Sequence, residues 1–111
     1  MSTFDEQKVL KDMLGASQTK AVAVWGQVKG DVEQEFKTLV SVGARIVARK
    51  EAGTISEVNA KFLMAQYYGA ARNFLYSLEG IANLAIEAMI NAALDVLKKA
   101  IQAATSGWVL I

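Results

Sequence analysis

Between Ser77 and Thr105 apolar residues recur so densely that only a helix covered on more than one side can hold them. Placed at about 100° per residue, Glu87, Asn91, Asp95, Lys98 and Gln102 fall in one polar wedge, with Leu84 inside it and Asn83 and Lys99 at its margins. The remainder from Ile81 to Ala104 is apolar over roughly half the circumference or more, whereas an ordinary surface helix buries a stripe only a little over ~100° wide. One neighbour cannot cover so much. The stretch 77–105 is therefore expected to be one long, mostly buried helix.

Its apolar side divides into two ridges. Ile86, Ile90, Ala93, Leu94, Leu97 and Ile101 make a bulky one suited to a conventional core. Ile81, Ala85, Ala88, Ala92 and Ala103 make a mostly small one, over which another helix backbone can approach closely. Ala85, Ala88 and Ala92 are accordingly candidate residues of an intermolecular contact.

The preceding chain reads as further helices separated by glycines, with no proline to force a break. Thr3 and Glu6 form a capping box opening a first helix that Gly15 ends. Ser17 caps a second through Ala21, Val24, Trp25 and Val28, closing near Gly30. Asp31 caps a third, whose Val32, Phe36, Leu39, Val40, Gly43, Ile46 and Val47 line one face before Gly53. Its acids Glu33 and Glu35 come early and Arg45, Arg49 and Lys50 late, complementing the helix dipole.

Thr54 and Glu57 make a second capping box, opening a helix that reaches at least Tyr76 and either stops at Gly80 or continues into 77–105. This helix carries two apolar lines, Ile55, Val58, Phe62, Ala65 and Gly69 on one side and Ala60, Met64, Tyr67, Ala71, Phe74 and Leu78 on the other. Asn59, Gln66 and Asn73 repeat every seven residues between them. Buried amides left unpaired cost roughly 1–3 kcal/mol each, so this trio either lies in solvent or aligns across a helix contact and sets its register. The expected architecture is a single all-α domain over 1–111, a bundle of about four helices or an extended helical hairpin.

Composition removes most chemistry. The chain has no His and no Cys, which eliminates the commonest general base, thiol nucleophiles, c-type haem attachment and the Glu-x-x-His pairs of di-iron bundles. Glu79, Glu87 and Asp95 recur at eight-residue intervals as a solvated helix face would. The eight glycines stand singly, in neither a G-x-G-x-x-G nor a Walker pattern. No enzymatic activity, cofactor, metal or small-molecule substrate is expected.

A net charge of +1 supplies no long-range field for nucleic acid. The best basic cluster, Arg45, Arg49 and Lys50, has no aromatic residue interleaved, so the case for nucleic-acid binding is weak. Arg72 lies in an apolar surround seven residues before Glu79, with Glu87 eight further on, and either pairs with one of these carboxylates within or between subunits or extends along its apolar stem to solvent.

Hydrophobic residues make up 53% of the chain, which leaves apolar faces to spare and poses two alternatives. For a membrane span, about eight large apolar residues in 81–97 contribute roughly −2 to −5 kcal/mol, while Glu87 near the centre alone costs about +2.5 to +3.5. A hairpin or oligomer that neutralised Glu87 with Arg72 would recover that loss, so a membrane-inserting hairpin stands as the alternative.

The favoured reading is a helical structural subunit, a homo-oligomer or part of a larger assembly of virion, injection-machine or filament type, with a small dimeric adaptor or regulator as a further alternative. The apolar end Trp108-Val109-Leu110-Ile111 is expected to be packed, and Trp108 is a candidate interface residue. The start MSTFDEQK lacks the basic and apolar regions of a signal peptide, so synthesis in the cytoplasm is the default.

Overall fold

A computed structural model of the chain describes residues 4–111. Four helices, α1 (Glu6–Lys20), α2 (Trp25–Glu51), α3 (Glu57–Tyr76) and α4 (Asn83–Ala104), make an all-α bundle with no strand among the described residues. At about 1.5 Å per residue the 27 residues of α2 span roughly 40 Å, close to the 44 Å longest dimension of the molecule, so the helices lie along it. Successive helices alternate in direction across short connections.

Asp5 caps α1 by accepting a hydrogen bond from the Lys8 amide, and the expected Thr3 cap lies outside the described residues. Gly15 does not end this helix. It lies inside α1 between the fully buried Met13 and Ser17, whose burial outweighs the roughly 1 kcal/mol that a helical glycine costs. Ser17 is likewise no cap, since its hydroxyl is spent on α4.

The expected second and third helices are one. α2 passes through Gly26, Gly30 and Asp31 because Trp25 and Val28 stand in phase with Val32, Phe36, Leu39, Gly43 and Ile46, and all are buried on the same side. Gly43 leaves room there: a Cβ on it would stand 3.1 Å from the Phe4 ring and 3.6 Å from Leu97. At the far end Gly53 takes φ +71°, as expected, and lets the Thr54 amide reach back to the Arg49 carbonyl at 2.8 Å.

Thr54 therefore closes α2 instead of opening α3. Its hydroxyl also donates to the Arg49 carbonyl, and the α3 cap falls to Ser56, which accepts from the Asn59 amide. The stretch 77–105 is not one helix either. α3 stops at Tyr76, Gly80 adopts φ +79°, and α4 begins at Asn83, so residues 77–82 form the reversal. A helix continuous from 54 to 105 would extend about 75 Å and leave Met64, Leu75 and Leu97 without a common core.

α4 seats its bulky ridge as expected, with Ile86, Ile90, Ala93, Leu94, Leu97 and Ile101 all buried. After it, Ser106 (φ 59°) and Gly107 (φ 106°) turn the chain back, and the Trp108 amide donates to the Thr105 hydroxyl. The tail is packed on its own domain. Leu110 is buried, the Val109 amide donates to a Glu57 carboxylate oxygen at 3.3 Å, and Ile111 lies in the notch between α3 and α4 with Tyr68, Arg72, Asn91 and Leu94.

Candidate interface on the third helix

The small ridge of α4 is neither fully covered nor free: Ala85, Ala88 and Ala92 are half-buried and Ala103 is exposed. This side of α4 turns toward α1, as Val96, Ala100 and Ala103 border a groove together with Asp5, Lys8, Val9 and Asp12.

The surplus apolar surface lies instead on α3. Of its two lines, Ala60, Met64 and Ala71 are buried with Leu75, while Val58 and Phe62 on the other are 64% and 68% exposed. Ala65 and Gly69 continue the open line as half-buried residues, and a Cβ on Gly69 would meet nothing within 4 Å. Asn59, Gln66 and Asn73 are all exposed along the same side, so within one chain they set no register. Both lines were visible in the sequence. Which one the core would take was not, because each has helical spacing and similar apolar content.

Arg72 makes no ion pair with Glu79 or Glu87 among the described residues. Its guanidinium reaches the Asn91 side-chain oxygen at 3.5 Å and stands 6.0 Å from the centre of the Tyr68 ring, while its Nε is buried without a hydrogen-bond partner. Glu79 belongs to the reversal and Glu87 is exposed on α4, one turn before Asn91, which takes the place expected for the acid. Trp108 is half-buried in its own chain, with the Lys50 ammonium 5.3 Å from its ring centre.

The described residues hold no group of three His, Cys, Asp or Glu side chains placed to bind a metal ion. The ion pairs among them, Lys8–Asp12, Lys37–Glu33 and Lys99–Asp95, are exposed i,i+4 pairs along single helices. Among the described residues no helix is long and apolar enough to cross a membrane. Comparison with protein-family models, curated proteins and solved structures finds no match to this chain.

Proposed function

We infer that the chain is a non-enzymatic helical structural subunit whose uncovered apolar surface is buried by copies of itself within an assembly, as in the short subunits of virions, injection machines and filaments. The observation that carries this reading is the open line of α3, where Val58 and Phe62 present most of their surface to solvent on a helix whose opposite side already fills the core. Isolated exposed apolar residues are ordinary on protein surfaces; a line of them one helical turn apart is what association covers. Leu84 at 81% and Val22 at 75% exposed add apolar points at the end of the bundle that holds the 21–24 and 77–82 connections.

Mass in solution tests the reading. Sedimentation velocity across a wide concentration range, with and without mild detergent, is expected to show species larger than one chain in the absence of detergent. A monomer at every concentration, with no change on adding detergent, overturns it.

A further inference from the structure

From Val58, α3 carries Phe62, Ala65, Gly69, Arg72 and Tyr76 at alternating steps of four and three residues. That is the 3.5-residue period of a seam between two helices. Asn59, Gln66 and Asn73 each follow a seam residue directly and form its open flank, while Leu75 on the opposite flank is buried in the chain's own core. From end to end the seam and its open flank hold no carboxylate and one cation, Arg72.

We propose that α3 pairs antiparallel with α3 of a second copy of this chain about a two-fold axis beside Gln66, a proposal that rests on the assembly reading above and gives it a surface. A two-fold contact must be complementary to itself, and this one is. About Gln66, position 59 exchanges with position 73, so Asn59 meets Asn73 of the second copy and Gln66 meets Gln66. An amide carries both donor and acceptor, so each can bond its like, which a row of ammoniums or carboxylates cannot.

The seam residues follow nearly the same symmetry, their pairs 58/76, 62/72 and 65/69 centring one residue, about 1.5 Å, beyond Gln66. Ala65 and Gly69 fall at the crossing, where small side chains let two backbones approach, and Val58 and Tyr76 close the two ends. Arg72, with its unpartnered Nε, comes within about 3 Å along the axis of the level of Phe62 of the second copy. A helix of 20 residues offers a strip about 30 Å long and on the order of 10 Å wide, well short of the roughly 800 Å² per partner of a standard interface. The dimer is therefore dynamic and concentration-dependent.

The chain has no Cys, so single-cysteine variants report without background. With a short bis-maleimide, Gln66→Cys alone is expected to give covalent dimer. Asn59→Cys and Asn73→Cys should each stay monomeric alone and cross-link when mixed. Phe62→Glu should keep the helical circular dichroism, since Phe62 is 68% exposed, and weaken association at least tenfold. If all three cysteine variants cross-link equally on their own, the pairing is parallel and the proposal fails. If the parent sediments as an oligomer while Gln66→Cys does not cross-link and Phe62→Glu keeps the parent's mass, this interface is wrong and the assembly reading stands. A parent that is monomeric throughout overturns both.

Discussion

The Ser17 hydroxyl donates a 3.0 Å hydrogen bond to the Met89 carbonyl oxygen, 72 residues further along the chain, at a point where both residues are fully buried. A side chain as short as serine reaches the backbone of another helix only where nothing bulky separates the two, so α1 and α4 are in close apposition at this level.

Substitutions at Ser17 should report that closeness. Ser17→Ala loses a buried hydrogen bond, normally about 0.5–1.5 kcal/mol, and recovers part of it through alanine's better helix propensity. Ser17→Leu has no such relief and should cost about 1–3 kcal/mol through overpacking. Urea unfolding separates the two, and a leucine variant as stable as the parent would show that α1 and α4 are further apart than described.

The tail should behave as part of the core. Leu110 is 1% exposed, so Leu110→Ala is expected to cost about 2–5 kcal/mol, as large-to-small core changes do. Val109, next to it and 42% exposed, should tolerate alanine within about 0.5 kcal/mol. Equal midpoints for the two variants in thermal unfolding would mean the tail is detached in solution.

Two glycines should respond to alanine with opposite sign. Gly15 sits inside α1 with nothing within 4 Å of a Cβ, so Gly15→Ala should stabilise by about 0.5–1 kcal/mol. Gly53 holds φ +71°, where an L side chain is strained, and Gly53→Ala should destabilise by roughly 1–2 kcal/mol. Denaturant midpoints that move the same way for both would contradict the helix boundaries.

At Arg72 the stem and the charge can be separated. Arg72→Met removes the unpartnered Nε while keeping a long apolar stem beside Tyr68, and should leave stability unchanged or slightly raised. Arg72→Ala strips the stem as well and should lower it. Glu79→Gln and Glu87→Gln should each shift stability by less than about 0.5 kcal/mol in dilute protein. A loss above 1 kcal/mol at Glu87 would mean that it, and not Asn91, partners the arginine.

Much of this architecture was legible in the residues. The helical class, the bulky ridge from Ile86 to Ile101 and the stop at Gly53 follow from spacing and from glycine's access to positive φ, while the start of α4 at Asn83, beyond Gly80, did not. The signal for an unbroken α2 was present too, since Trp25 and Val28 are in phase with Val32, but it was outweighed by Gly30. Burial decides the matter: a side chain such as Val28 contributes about 1.5–3 kcal/mol when buried, against roughly 1 for a glycine in a helix.

By itself, then, the sequence determined which residues share a face and that more faces are apolar than an isolated helix can keep. Only the tertiary structure decided that Met64 and Ala71 turn inward while Val58 and Phe62 turn out, that Ser17 meets Met89, and that Leu110 is buried on its own domain. Periodicity is a property of one helix, recording that a face is worth covering. What covers it depends on the lengths, the turns and the competing faces of every other helix at once.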